Sequence, residues 1–335
     1  MAIYLAVNEP GDMNFVQGDV NNFSRSTSTG YKNSWSRESW YARVSQNLAN
    51  GMGSAPALQL SSDLNEGWFH FVGWWDNRGD YINVNTALMD TAGNFLCGIT
   101  REVAGMGFRS HVHGVDIVAA DGVDEGLKNW DIHFRINAVD GFFRCYVDGV
   151  LRSEFVGDTA TGRTDARYVA LARCYDIAST GYYFFRSELI VSDQNTIGAR
   201  LYTADLLSDG TDQDWTGVVG DTNHREINDG TFIAATTNGN QDSYNLNVPG
   251  SLEAGHVIAG ISFGYRAQTQ VDSLVSQIQP YLNIGGTRYN IGSPITPPTG
   301  SVTGYWEHTE LNPADMAAFE LADLTGMELG FRALT

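Results

Sequence analysis

His111 and His113 form the sharpest metal-like feature of the sequence, because residues i and i+2 of a strand project from one face, a spacing that zinc sites use. Asp116 and His133 are the nearby candidates for a third ligand. Nothing in the local sequence fixes either of them against the pair, so a surface or interface histidine pair is the expected reading. Carboxylates are the second source of chemistry. A retaining glycosidase needs two of them on one strand face, about 5 Å apart, and the pattern Glu-x-Asp-x-x-Glu does not occur. The densest acidic clusters are Asp121, Asp124 and Glu125, and the stretch from Glu188 to Asp193. Both are expected in loops as solvated charge; their hard oxygen atoms suit calcium, but no ligand set is defined.

Other motifs resolve into turns. Arg78-Gly79-Asp80 reads as a turn between strands, and Asn283-Ile284-Gly285-Gly286-Thr287 as a hairpin without the helix or lysine of a phosphate loop. No nucleophile elbow is expected among the Ser and Cys residues. Cys97, Cys145 and Cys174 lie far apart without C-x-x-C spacing, which predicts buried free thiols. No catalytic, cofactor-binding or metal residue is therefore assigned, and the sequence points away from an enzyme. Aromatic residues make up 12% of the chain and include eight Trp. They either stack on sugars or fill cores, and their place in alternating patterns assigns most of them to cores or subunit interfaces. Trp35, Trp40 and Trp215 lie in less regular segments and are the expected interface anchors.

The elements that must carry these residues are strands. Apolar runs are short, alternate with polar residues and are divided by Gly, Asn and Asp. In residues 68–75, Trp68, His70, Val72 and Trp74 share one face, and Phe69, Phe71 and Trp75 the other, which predicts a central strand covered on both sides. Ile132, Phe134 and Ile136 alternate with Asp131, His133, Arg135 and Asn137; Asp140-Gly141 and Asp148-Gly149 then predict type I′ turns and a three-strand meander. Further strands are expected at 168–175, 182–191, 231–235, 257–267, 276–284, 304–309 and 327–334. The polar run 208–215 reads as a turn-rich break. Asn312-Pro313 is a cap and first-turn pair that predicts a short helix over 314–321.

Composition narrows the partners. The chain of 335 residues suits about two domains, and the break near residue 200 divides it into 1–198 and 199–335. A formal charge of −19 repels a phosphate backbone, so no nucleic acid is expected. Lys32 and Lys128 are the only lysines, no polybasic cluster exists, and no apolar run is long enough to insert in a membrane. The first ten residues lack the basic start of a signal peptide, which predicts a soluble protein made in a cytosol.

Trp40-Tyr41-Ala42-Arg43, Trp68-Phe69-His70-Phe71, and Phe134-Arg135-Ile136 followed by Tyr146-Val147-Asp148-Gly149 together resemble the laminin G-like (concanavalin A-like) jelly roll over residues 1–195. Gly198-Ala199-Arg200-Leu201, Asp214-Trp215-Thr216-Gly217, Ile227-Asn228-Asp229-Gly230, Asp242-Ser243-Tyr244 and the stretch from Trp306-Glu307-His308 to Gly330-Phe331-Arg332 resemble a β-sandwich domain of tailed-bacteriophage virion proteins. Residues 310–315 depart from that pattern. The resemblances imply an all-β chain of two jelly-roll-like antiparallel sandwiches in tandem. They also imply a non-enzymatic structural component of a phage particle, capsid-decorating or tail-associated. Its expected partners are other virion proteins, copies of itself in a homo-oligomer, and host-surface glycans; its place is the virion, after synthesis in the host cytoplasm. The alternative is a carbohydrate-binding lectin or adhesin, with a glycan-cleaving enzyme behind it.

Overall fold

The computed structural model describes residues 2–7, 15–17, 23–26, 39–44, 57–75, 83–101, 108–113, 115–118, 126–163, 165–175, 182–222 and 228–335. Two compact units divide the chain between Leu201 and Tyr202. Among the described residues every pair of named strands is antiparallel, an all-β fold. Among the described residues no helix is long and apolar enough to cross a membrane.

Among the described residues the first unit holds fifteen strands. They are β1 (Ile3–Val7), β2 (Phe15–Gln17), β3 (Phe23–Ser26), β4 (Ser39–Val44), β5 (Ala57–Leu64), β6 (Glu66–Trp75), β7 (Asn83–Asp90) and β8 (Phe95–Arg101). There follow β9 (Phe108–Val112), β10 (Val115–Val118), β11 (Gly126–Arg135), β12 (Gly141–Val147), β13 (Val150–Gly157), β14 (Ala166–Tyr175) and β15 (Tyr182–Ser192). An eight-stranded sheet runs β13-β12-β11-β6-β15-β4-β3 with β1 also on β15, and a seven-stranded sheet runs β10-β9-β8-β7-β14-β5-β2. The two sheets approach where β1 meets β5, β4 meets β14 and β13 meets β10.

Side-chain alternation explains which face of the larger sheet is buried. Register sets Phe71 against Trp130 and Val147, Phe69 against Ile132 and Cys145, and Phe134 against Phe143, all of them almost fully buried. The other face carries Glu66, Trp68 and His70 on β6, Asp131, His133 and Arg135 on β11, and Phe142, Arg144 and Tyr146 on β12. Both faces of β6 are covered where the central-strand reading expects it: Trp68, His70 and Val72 are buried as well as Phe69 and Phe71. The smaller sheet is likewise buried on both sides, with Leu58, Leu88 and Val169 on one face and Ala57, Ala87, Met89, Phe95 and Ala170 clustered on the other.

One expected hairpin turn is present and one is not. Asp148 and Gly149 both take positive φ, 50° and 77°, as a two-residue type I′ turn requires. Asp140-Gly141 does not. There the chain turns over residues 136–140 on the Asn137 side chain, whose Oδ1 accepts from the backbone N–H of Val139 (2.8 Å) and Asp140 (3.2 Å). Gly141 instead opens β12 against Thr159 and the carbonyls of Asn137 and Gly157, a space that admits no side chain.

The second unit holds β16 (Asp205–Gln213), a 3₁₀ turn at Val219–Asp221, β17 (Gln241–Asn247), β18 (Ile261–Ala267), β19 (Gln277–Ile284) and β20 (Thr287–Asn290). It continues with β21 (Thr303–Thr309), β22 (Leu311–Asn312), β23 (Ala317–Ala318) and β24 (Glu328–Leu334). A five-stranded sheet runs β16-β17-β24-β19-β20, while β18-β21 forms a two-stranded ribbon. Leu282 and Leu329 of the sheet and Ile261 and Phe263 of the ribbon share one apolar cluster with Phe319 and Met327.

Three sequence expectations are corrected here. The polar run 208–215 is largely strand β16, because its polar side chains bond to the sheet beside it. Residues 231–235 contribute only an isolated bridge between Thr216 and Ala234. Residues 314–321 form no helix. Asn312 Oδ1 accepts from the Ala314 N–H at 3.0 Å, and the Met316 N–H reaches the Asn312 carbonyl at 2.8 Å. With Met316 at φ 61° the chain reverses, and β22 pairs with β23. The asparagine that could cap a helix thus closes a turn instead. The hairpin expected at 283–287 is present between β19 and β20, with Gly285 and Gly286 at φ 59° and 83°.

Glu307 on β21 provides a stability test for the ribbon. Burial alone pushes its carboxyl above the usual range. A raised carboxyl pKa means that the folded state holds the proton more tightly, so this contribution to stability is present at low pH and lost as pH rises through the folded pKa. Glu307→Gln, which cannot ionise, is expected to melt a few degrees higher than the parent at pH 7 and at about the same temperature near pH 4. Equal melting at both pH values would refute this.

Candidate functional site

Among the described residues, those singled out in the sequence do not assemble into a metal centre. On β9, His111 sits in register with Asp116 on β10 and with Gly98 on β8, whereas His133 belongs to the other sheet. His113 is engaged differently. The Arg163 guanidinium lies 2.9 to 3.0 Å from its ring nitrogens, and burial together with this cation pushes the imidazole below its usual pKa. A fixed guanidinium there opposes a metal ion. Among the described residues no group of three or more His, Cys, Asp or Glu is arranged to hold a metal.

The acidic stretch expected in a loop at 188–193 lies mostly in β15. Glu188 is fully buried at a register shift with φ 54°, and its carboxylate accepts from the Leu201 N–H at 3.2 Å. Asp193 accepts from the Ala2 N–H at 2.7 Å. Both carboxylates have protein donors. Asp121, Asp124, Glu125, Arg78-Gly79-Asp80 and Trp35 lie outside the described residues. Cys97 and Cys145 are buried and free, and burial pushes both thiols well above the ordinary range, which makes them inert. Trp215 is tied into its own unit, its indole N–H donating to the Asn240 carbonyl at 3.1 Å and its ring lying near Phe331.

A surface that the sequence reading did not single out lies on the outer face of the eight-stranded sheet, at its β13 end. Its base is Trp68, only 9% exposed. His133 from β11 stacks on it with ring centres 4.3 Å apart and planes 8° apart; Tyr146 from β12 stacks at 5.6 Å and 30°. Phe142 meets His133 edge-on at 4.6 Å. The Arg144 and Arg135 guanidinium carbons stand 4.5 Å and 5.0 Å from the Phe142 ring centre. Each guanidinium is held by carboxylate: Arg144 donates to Glu154 at 2.6 Å, and Arg135 donates to Glu66 at 2.8 Å and to Asp140 at 3.1 Å. On β13, Leu151 (45% exposed) and Val156 (63% exposed) flank Glu154, in register with Tyr146 and Phe142.

Charge on this face is set by neighbours. Arg135 holds the Glu66 carboxyl below the usual carboxylate range despite some burial. Burial lowers the His133 imidazole, and Arg144 adds to that against the opposing pull of Glu66, so the ring is neutral at pH 7. The same sheet face is closed elsewhere. His70 Nδ1 lies 2.8 Å from Asp131 Oδ1, which also accepts the Thr196 hydroxyl at 2.8 Å, and all three residues are buried. Chain 193–201 therefore covers the β6–β11 centre and leaves the aromatic and ionic end open.

The densest polar cluster, in the second unit, has a structural task. In β16, residues 210–212 stand opposite the single residue Ser243 of β17. This bulge folds over the polar face of its sheet. The Thr211 N–H (3.2 Å) and hydroxyl (2.9 Å), the Ser243 hydroxyl (2.7 Å) and the Asn283 amide (3.0 Å) all donate to Glu328. Asp212 accepts from the Tyr281 hydroxyl at 2.6 Å and from both arms of the Arg288 fork. Internal partners occupy these groups, and the cluster pins the bulge.

No protein-family model matches the chain, and no curated protein matches it. Among solved structures it is similar to a sialidase (11% identity, TM-score 0.35), covering 56% of this chain but 19% of that one. It is similar to a β-glucanase catalytic domain from Podospora anserina (12%, TM-score 0.35), covering 56% of this chain and 86% of that domain. Lectin I-B4 from Griffonia simplicifolia matches at 11% identity and TM-score 0.31, over 56% of this chain and 98% of the lectin. These neighbours are sialidase, hydrolase and lectin structures, and none is a phage virion protein. That finding overturns the expectation of a structural component of a phage particle, whether capsid-decorating or tail-associated. At such TM-scores the likeness carries no argument about a ligand.

Proposed function

We propose that the chain is a non-enzymatic carbohydrate-binding protein, a lectin or adhesin, that takes saccharide on the outer face of the eight-stranded sheet. In this reading the first unit is a laminin G-like β-sandwich. The observation that carries it is the tiling of stacked rings, forked ion pairs and exposed aliphatic side chains on one open sheet face. A pyranose has an apolar C–H face and a rim of hydroxyls. Tyr146, Leu151 and Val156 suit the first, and the fixed arginine and carboxylate forks suit the second.

The carboxylates of this face support binding without cleavage. Hydrolysis needs one carboxyl held protonated, with a raised pKa. Glu66 is driven the opposite way, and Glu154 and Asp140 each accept from an arginine. Self-association, expected from the sequence, is retained as part of the proposal because it adds avidity without new contacts.

The test is a glycan microarray followed by titration of the best ligand. Tyr146→Ala, with its fold checked by circular dichroism, is expected to weaken affinity about 30-fold, as loss of an aromatic hot spot does. Absence of binding by the parent protein to every glycan, or an affinity unchanged in the variant, would sink the proposal. Release of reducing ends from bound oligosaccharide would move it to the enzyme class.

A further inference from the structure

We infer that the saccharide bound by this face is uncharged, with neighbouring hydroxyls that bridge the Arg144–Glu154 pair. The inference rests on the glycan-binding reading above and adds the chemical class of the ligand. Around Phe142 the face presents two guanidiniums, Arg135 and Arg144, against three carboxylates, Glu66, Asp140 and Glu154. With His133 neutral, the local balance is slightly negative, and the whole chain carries −19. At this end a uronate, sialyl or sulfated sugar finds both guanidiniums already paired. To pair with Arg144 it must displace Glu154, leaving two carboxylates beside one guanidinium.

Hydroxyls meet no such conflict. Arg144 binds Glu154 through Nε, and a guanidinium has five N–H donors. A vicinal diol accepts from a remaining arginine N–H through one oxygen and donates to Glu154 through the other. The ion pair stays intact while it does so. Because Glu154 and Arg144 face each other across β13 and β12, with Tyr146 and Leu151 beside them, the diol is presented while the sugar's C–H face rests on the ring and the aliphatic side chain.

The experiment compares neutral gluco- and galacto-oligosaccharides with oligogalacturonate and sialyllactose, for the parent protein and for Glu154→Gln. The parent is expected to bind a neutral oligosaccharide with an affinity that changes less than about twofold between low and high salt. It should bind the acidic probes at least about tenfold more weakly. Glu154→Gln frees Arg144 from its counter-ion and is expected to gain about tenfold toward oligogalacturonate while losing affinity for the neutral ligand. Preferential binding of an acidic probe by the parent overturns the inference and leaves the glycan reading standing. An unchanged preference in Glu154→Gln overturns the role of the ion pair. Failure to bind any probe removes both the inference and the reading.

Discussion

Glu328→Ala is expected to destabilise the second unit by about 3–5 kcal/mol, because it strips the shared acceptor from four donors that the fold has taken out of water. Those donors are the Thr211 N–H and hydroxyl, the Ser243 hydroxyl and the Asn283 amide, gathered around a carboxylate that is 5% exposed. Urea unfolding followed through Trp215 and Trp306 fluorescence measures the loss, and a value under about 1 kcal/mol would show that water substitutes for the carboxylate. Acid provides a second reading. Burial raises the Glu328 pKa, but the bonds from Ser243, Thr211 and Asn283 outweigh it and leave the carboxyl below its ordinary 4.5; the Arg288 fork lowers Asp212 below 3.8. A depressed folded pKa gives stability that is present above the unfolded pKa and lost as pH falls through the folded one. The unit should therefore weaken below about pH 4, and Glu328→Gln should flatten that slope.

Gly141→Ala is expected to cost the first unit about 3 kcal/mol, at the upper end of what overpacking does. A Cβ there meets the Thr159 hydroxyl, the Asn137 carbonyl at 2.5 Å and the Gly157 carbonyl at 2.7 Å. The hydroxyl cannot retreat freely, since it donates to the Arg135 carbonyl at 2.6 Å and accepts from the Asn137 N–H at 3.0 Å. Removing it as well, in Gly141→Ala/Thr159→Gly, should not restore stability, because the two carbonyls belong to backbone. Thermal unfolding of the first unit decides the matter, with Gly162→Ala as the control: it has positive φ but open space around it. A Gly141→Ala loss no greater than that of the control would contradict the steric account.

Much of the strand content was legible because period-two alternation reports burial directly. Ile132, Phe134 and Ile136 point into the core, and His133 and Arg135 point out of it, as their spacing requires. The aromatic and ionic face was harder to read. Phe142, Arg144 and Tyr146 alternate with Phe143, Cys145 and Val147, so the outward set was present in the sequence, but its meeting with Trp68 depends on β11 lying between β12 and β6. No local pattern encodes that neighbour relation. The absence of the expected helix has a related cause. Asn312-Pro313 favours a helix start and a tight turn about equally, and the pairing of Leu311 with Ala318 selects the turn. The run 208–215 reads as a loop because its Ser, Asp and Thr side chains are polar; in β16 the Ser208, Thr211 and Asp212 side chains find partners on Asn245, Glu328 and Tyr281 that lie far away in the chain.

The position of β24 also bears on how the second unit assembles. It follows every other strand of its sheet in sequence, yet it lies at the centre, between β17 and β19. Until it arrives, those two strands have no ladder between them, and the Glu328 anchor of the bulge, 117 residues from Thr211, is missing. Each must wait with an open hydrogen-bonding edge, the condition in which strands pair with the wrong chain. Closure of this sheet is thus a late, non-local event, paced by loop entropy and not by hairpin formation. The hairpin β19–β20 can form beforehand, and β24 then acts as the keystone that converts separate ribbons into one cooperative sheet.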